Sequence, residues 1–363
     1  MVPSAEAKQA PGPERGPRRG GRLLSAAILV IIAVIIAGAG WVRFTLSRPV
    51  THPGADKIVT IDPGSGTKAV VDKLVAAGIV HHPTTLRIYL LITGRNRHLK
   101  AGDYKFPSPI SPLGAIDRIR QGDVFYERVT IPPGFNRFEI ANLLAEKTGK
   151  ADASEFLALM DNPRPIAELA PDATNLEGYL FPDTYNYTTR TTPEELISTM
   201  VRRFHEVFTP QWVERAAQIH MPVQQVVTLA SIIEKEAKVP RDRAVISSVL
   251  MNRVSRGMLL AADPTFIYAA QLAHDYDGNP NQPRHRKRNS PYNTYLYPGL
   301  PPGPIASPGR ASLEAALYPA STDYLYYVLA GADGHHKFSR TAAEHEVAVE
   351  QYHKLRDQLN HNQ

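Results

Sequence analysis

Apolar positions along the chain follow three rhythms. The run LLSAAILVIIAVIIAGAGWV at 23–42 is apolar without a break and carries no charge over its 20 residues, which matches the roughly 20 residues that cross a bilayer core. Short β-rich triplets precede Pro-Gly turns, as in VTIDPG at 59–64 and VTIPPG at 129–134. From about residue 150 onward, apolar residues recur every three to four positions over longer stretches, which predicts helices at 193–208, 223–237 and 243–257. Shorter patterns add a helix through LRIYLLI (86–92), strands at 102–107 and 323–330, and a surface helix over 342–359. The stretch 276–310 is dense in Pro, Asn, Tyr and Gly, and loop regions of that length usually carry function or stay disordered. The expected class is α+β behind a single N-terminal transmembrane helix.

The two Pro-Gly segments echo one another at constant offset. Residues 59–74 align with 129–144 through Val59/Val129, Thr60/Thr130, Ile61/Ile131, Pro63/Pro133, Gly64/Gly134, Val70/Ile140 and Leu74/Leu144. Each copy reads as strand, turn and helix. Two common turn motifs would agree by chance at fewer positions, so duplication or convergent packing is the better account.

Charge gives the long apolar run a direction. Lys8, Arg15, Arg18, Arg19 and Arg22 precede it in a Pro/Gly-rich tail and Trp41 closes it, so the excess of positive charge assigns 1–22 to the cytoplasm and 23–43 to a single crossing of the plasma membrane. A cleaved leader is the rival reading, but its apolar core is usually only about 7 to 15 residues. Residues 44–57, with Pro49 and Pro53, read as a linker. The remainder is extracytoplasmic (periplasmic), with a first region at 58–150 and a second at 151–363. The chain of 363 residues contains no cysteine, which excludes disulfide frameworks, thiolate zinc sites and thiol nucleophiles without deciding the compartment. The formal net charge of +6 owes part of its excess to the tail and is weak evidence for nucleic acid. The run RHRKR at 284–288 reads as a solvated loop rather than a nucleic-acid site, since the topology puts it outside the cell.

Two acids end an otherwise oily helix in VVTLASIIEKEAKV, 226–239. At 100° per residue, Val226, Leu229, Ala230, Ile233 and Ala237 share a face. Glu236 falls between Ile232 and Leu229 inside that arc, Glu234 lies at its far border and Lys235 points away. A carboxyl drawn among apolar groups loses hydration of its anion, so its pKa rises and it holds a proton near neutrality. Glu236 is therefore the better general-acid candidate, with Glu234 the alternative. The ordinary fate of a Glu-Lys-Glu triplet is a solvated face paired with Lys235, Lys238, Arg241 or Arg243. Other segments strengthen the functional reading. NLEGYLFPDTYNY (175–187) gathers Glu177, Asp183 and three tyrosines, a mixture suited to stacking on sugar faces. In ADPTFIYA (262–269) Asp263 suits a helix cap. YNTYLYPGLPPGPIASPG places Asn293, Thr294, Tyr295 and Tyr297 on a proline-stiffened backbone, and GADGHHKF puts His336 in a turn after a strand. Together they point to a cleft.

The ordered set LEGYLFPDTY, LASIIEKEA, NRVSRGMLLAADPTFIYA, YNTYLYPGLPPGPIASPG and GHHKFSRTAAEH resembles the endolytic murein transglycosylases of the YceG/MltG-like family over roughly residues 55–355. The resemblance implies a LysM-like small α/β module that holds peptidoglycan at 58–150, then a mixed α+β catalytic domain at 151–363. It implies Glu236 as the catalytic acid and maps substrate contacts to Glu177, Asp183, Tyr185, Asp263, Asn293, Thr294, Tyr295 and His336. Ala261 stands where relatives often carry Gln, so a contact from that side chain is missing or supplied elsewhere.

The implied reaction needs one carboxyl. Glycoside hydrolysis normally uses two, whereas a lytic transglycosylase takes the substrate's own C6 hydroxyl as nucleophile and closes a 1,6-anhydro ring. No metal or cofactor is called for: the pairs His81-His82 and His335-His336 lack the i, i+4 spacing of a helical zinc site. The expected partners are peptidoglycan glycan strands, the membrane and cell-wall synthesis proteins. Two other readings stay open: a hydrolytic muramidase that pairs Glu236 with Asp263 or Glu234, and a non-catalytic wall-binding scaffold.

Overall fold

The computed structural model describes residues 19–280 and 282–361, with side chains from 24 to 357 apart from 281. The basic residues of the 1–22 segment thus lie outside the described side chains. The chain divides into two compact units between Tyr126 and Glu127.

The first unit begins with α1 (Arg19–Ser47). Over Leu24–Ser47 this helix is long and apolar enough to cross a membrane, with a mean hydropathy of 2.5. Its side chains from Leu24 to Trp41 stand almost entirely clear of other protein atoms. The helix runs on into the stretch read as linker, and Leu46 is buried in the unit's core. β1 (Val59–Ile61), α2 (Thr67–Ala76), α3 (Pro83–Ile92), β2 (Gly102–Tyr104) and α4 (Pro112–Gln121) follow. β1 and β2 pair antiparallel, Val59 opposite Tyr104. Ile61, Val70, Leu74, Leu86, Tyr104 and Ile116 fill the space between them and the helices. The Ser111 hydroxyl accepts from the Gly114 amide at 3.0 Å and starts α4.

The second unit opens with β3 (Glu127–Thr130), α5 (Arg137–Thr148), α6 (Ala153–Met160) and β4 (Thr184–Tyr187). Both copies of the sequence echo fold as strand, turn and helix, β1 to α2 and β3 to α5, with Gly64 and Gly134 at φ +75° and +82° in the two turns. Sequence placed residues 127–150 with the first region, whereas here they pack within the second unit. The reason is long-range pairing: β3 is antiparallel to β4, and α5 packs on α6. The helices α7 (Pro193–Val207), α8 (Pro210–Gln218), α9 (Val223–Glu236), α10 (Arg243–Ser255), α11 (Asp263–Leu272), α12 (Pro283–Arg286) and α13 (Arg310–Leu317) come next. The antiparallel ribbon β5 (Tyr326–Leu329) and β6 (His336–Ser339) precedes α14 (Ala342–His361). α7 starts with a reciprocal capping box between Thr192 and Glu195.

α9 is the axis of this unit. Val226, Val227, Leu229, Ala230, Ile232 and Ile233 are all buried, at 1% exposure or less, and α9 packs chiefly on α13. Its last turn brings Glu234, Lys235 and Glu236 to the edge of this core.

Candidate active site

Past Ile233 the helix delivers its two acids into different surroundings. Glu234 accepts a hydrogen bond from the Gly309 amide at 2.9 Å and faces the Arg243 guanidinium at 3.6 Å. It fastens the start of α13, and although Arg243 is among the partners expected for such a triplet, the pair is largely buried rather than on a solvated face. Glu236 is half-buried and lines a cavity of about 540 Å³ together with Asp263, Tyr268, Tyr327, His336 and Lys238. The Tyr327 hydroxyl donates to Glu236 Oε2 at 3.1 Å. Burial drives the Glu236 carboxyl up to about 7, and the negative charge of Asp263 adds to the rise. The Tyr327 hydrogen bond and the charges of Lys238 and Arg253 oppose it. Such a group is protonated in about half the molecules near neutrality. Lys235 departs from the helical projection: its ammonium donates to the Gly134 carbonyl at 3.1 Å and its stem reaches the cavity wall.

The cleft is framed by parts distant in sequence. β5 supplies Tyr327 and β6 supplies His336, whose ring stands edge-on to Tyr327 with centroids 5.6 Å apart. His336 is the first residue of β6 rather than a turn residue. Its amide and its Nδ1 both meet Asp242 Oδ2, at 2.7 and 2.9 Å, so a buried carboxylate holds both the ring and the strand entry. Asp263 is the first residue of α11; it makes no cap, since Ala262 occupies the cap position. Its Oδ1 accepts from the Tyr295 hydroxyl at 2.5 Å and from Arg286 Nη2 at 3.3 Å, while that guanidinium lies 4.7 Å from the Tyr295 ring.

Glu177 lies behind the cleft. At 2% exposure its carboxyl accepts from the Arg137 amide at 3.1 Å and from the Tyr268 hydroxyl at 2.9 Å. Burial still outweighs these bonds and raises it to about 7. Gly178 makes the turn possible: its φ is +85°, and a Cβ there would stand 2.5 Å from Pro304 Cβ and 2.9 Å from Val227 Cγ1.

Asn293 and Thr294 are buried supports for the loop after α12. The Asn293 amide donates to the carbonyls of Arg286 and Arg288, both at 2.8 Å. The Thr294 hydroxyl accepts from the Ala262 amide at 3.1 Å and meets the Thr265 hydroxyl at 2.8 Å. Ala261 takes φ +49° and donates its amide to the Thr294 carbonyl at 3.0 Å, so this loop sets the approach to α11. Neither Asn293 nor Thr294 lines the cavity.

Asp183 and Tyr185 also stand apart from it. Asp183 Oδ2 accepts from Arg203 Nε at 2.8 Å. Tyr185 is buried against the core and donates its hydroxyl to the Phe181 carbonyl. Alternation along β4 is the cause: Tyr185 and Tyr187 face inward while Thr184 and Asn186 face out. With Tyr179 also buried, the tyrosines of 175–187 pack their rings into the core and none of them lines this cleft. The tyrosines that line the cleft are Tyr268, Tyr276 and Tyr327; sequence patterning passed over Tyr268 and Tyr327 because they lie inside a helix and a strand. The basic run 284–288 is largely neutralised: Arg284 pairs with Asp277 at 2.7 Å, Arg286 with Asp263, and Arg288 with Asp275.

A half-buried carboxyl of raised proton affinity, set at the end of a core helix and lining a cleft on an α+β scaffold, is an arrangement capable of general acid–base chemistry. The chain belongs to the YceG-like family, whose profile matches residues 59–351. It is 31% identical over 347 residues to the endolytic murein transglycosylase of Bacillus subtilis (strain 168), covering 88% of this chain and 91% of that one. With the endolytic murein transglycosylase of Streptococcus pneumoniae (strain D39) it shares 27% identity over 360 residues, 89% of this chain and 64% of that protein. The crystal structure of a yceG-like protein from Listeria monocytogenes superposes with a TM-score of 0.56 at 30% identity, covering 80% of this chain and 97% of that one.

Proposed function

We propose that this protein is a membrane-anchored murein lytic transglycosylase that cuts glycan strands internally, with Glu236 as both acid and base. The names of its relatives support the murein substrate. The observation that carries the mechanism is the Glu236 carboxyl, raised to about 7 within the cleft.

Protonated Glu236 donates to the glycosidic oxygen between N-acetylmuramic acid and N-acetylglucosamine as the C1–O bond breaks. The resulting carboxylate then takes the proton of the muramic acid C6 hydroxyl as that oxygen closes on C1, leaving a 1,6-anhydro end. Tyr327 holds one carboxyl oxygen through the cycle, and the developing positive charge at C1 finds the Asp263 carboxylate on the same cleft wall. Asp242 fixes His336 at the other side, where it serves as a positioning group for the sugar. Glu177 supports the cleft through Tyr268.

The helix Leu24–Ser47 supports anchoring in the membrane, with the catalytic unit outside the cytoplasm and cell-wall synthesis proteins as neighbours. In the first unit, the order strand, helix, helix, strand from β1 to β2 supports a LysM-like role in holding glycan.

Glu236→Gln keeps the side-chain shape and removes the proton. Purified glycan strands incubated with this variant are expected to yield no anhydro-muramic ends by mass spectrometry. Continued release of such ends would reject Glu236 as the acid, and ends heavier by one water from the unaltered protein would establish a muramidase instead.

A further inference from the structure

Behind the Glu236 cleft lies a second cavity of about 560 Å³, and the function proposed above makes no use of it. The two share a wall. Tyr268 lines the first cavity and donates to Glu177, which lines the second, while the Tyr268 and Tyr292 rings meet at a tilt of 59° with centroids 5.1 Å apart across the partition. We infer that this second cavity is a non-catalytic binding site for a neutral, N-acetylated sugar, formed by Glu177, Tyr179, Tyr292, Gln224 and Gln225 against the proline run 301–304.

Three observations carry this. Tyr179 is 1% exposed, lines the cavity, and its hydroxyl has no hydrogen-bond partner. A buried hydroxyl without a partner costs free energy that a ligand's carbonyl or hydroxyl would recover. The remaining polar lining is chiefly amide and hydroxyl, and the Tyr292 ring and the prolines supply flat apolar surface, the combination that receives a pyranose ring and its acetamido group. Among the described residues, the lining contains Asp172 and Glu177 but no Lys, Arg or His, which disfavours carboxylate and phosphate ligands and so separates a sugar from an acidic peptide. The prolines hold this surface in place: Gln224 Nε2 donates to the Pro302 carbonyl at 2.9 Å. The choice of sugar rests on the glycan reading of the neighbouring cleft, but the site itself is observable without catalysis.

Methyl-labelled full-length protein in detergent micelles distinguishes the two cavities, because Leu300 and Val254 line the second and Ile267 and Leu329 the first. Titration with the N-acetylglucosamine tetramer is expected to move the Leu300 and Val254 methyl signals, and the glucose tetramer to move them much less. Tyr179→Phe removes only the unpartnered hydroxyl. It is expected to keep or raise the melting temperature and to weaken the Leu300 response about fivefold, the worth of one hydrogen bond. Val254→Trp, at a half-exposed position of the lining, is expected to abolish the Leu300 response and to spare Ile267. Still Leu300 and Val254 signals, equal responses to both tetramers, or an unchanged affinity in Tyr179→Phe would each overturn the inference. Loss of the Ile267 and Leu329 responses alone would count against the glycan reading of the first cavity and leave the second intact.

Discussion

Glu236 and Glu177 are both drawn up to about 7 by burial, but their neighbours give them different uses. Glu236 faces a cavity and holds one hydrogen bond from Tyr327 that favours its anion; Tyr327→Phe removes that preference. The pH at which transglycosylation falls on the alkaline side is therefore expected to rise in this variant, while in Asp263→Asn, which removes a negative charge, it is expected to drop. Rates on soluble glycan across pH 5 to 9 check both directions, and a common shift of the two variants would show that Glu236 does not set that limb. Glu177 instead bears on stability. Its folded pKa lies above the ordinary glutamate value of 4.5, so the folded state binds the extra proton, and stability declines as pH rises from about 4.5 through about 7. The whole effect is on the order of 3 kcal/mol. Glu177→Gln keeps an acceptor for the Arg137 amide, and its melting temperature is expected to vary less over that range.

At the level of elements, the site depends on where chain segments stop. α9 ends at Glu236 where Ala237 turns extended, with φ −71° and ψ 114°, and β6 begins at His336 where Asp242 takes hold of its amide. The turn at Gly178 brings Glu177 beneath the cleft while Pro304 and Val227 close over it. Gly178→Ala adds a Cβ at positive φ and two close contacts, and is expected to cost roughly 2 to 5 kcal/mol, measurable by chemical denaturation. Local patterning announces such elements only in part. The spacing of Leu229, Ile232, Ile233 and Glu236 was legible because a long amphipathic helix has one dominant period, and it pointed to the acid that lines the cleft. Tyr185 was misleading for a related reason: a Tyr-rich turn reads as a sugar platform until strand pairing with Val129 turns that ring inward.

At the scale of the whole molecule, the apolar helix α1 and the first folded unit merge. Leu46 belongs to the core of the first unit and Val50 bridges Ile110, so the apolar helix cannot be cut off at an arbitrary point. A soluble version beginning at residue 42 retains Leu46, whereas one beginning at residue 50 is expected to be less stable by roughly 2 to 5 kcal/mol, the usual loss for a buried leucine. Thermal unfolding of the two versions checks this, and equal stability would mean that Leu46 contributes nothing to that core. The division at Tyr126 and Glu127 was hidden from sequence because the second copy of the echo resembles the first locally, and only the long-range pairing of β3 with β4 assigns it to the later unit.

By itself the sequence determined what depends on neighbours along the chain: the apolar helix, the strand–turn–helix echo, the face of α9 on which Glu236 lies, and the motifs that mark the family. Tertiary structure decided which side chains meet. Tyr327, Asp242 and Tyr268 join the site across strands, helices and long loops, and Asp183, Tyr185, Asn293 and Thr294 leave it, because hydrogen-bond partnership and burial are set by contacts between residues far apart in the chain, where no local periodicity reaches.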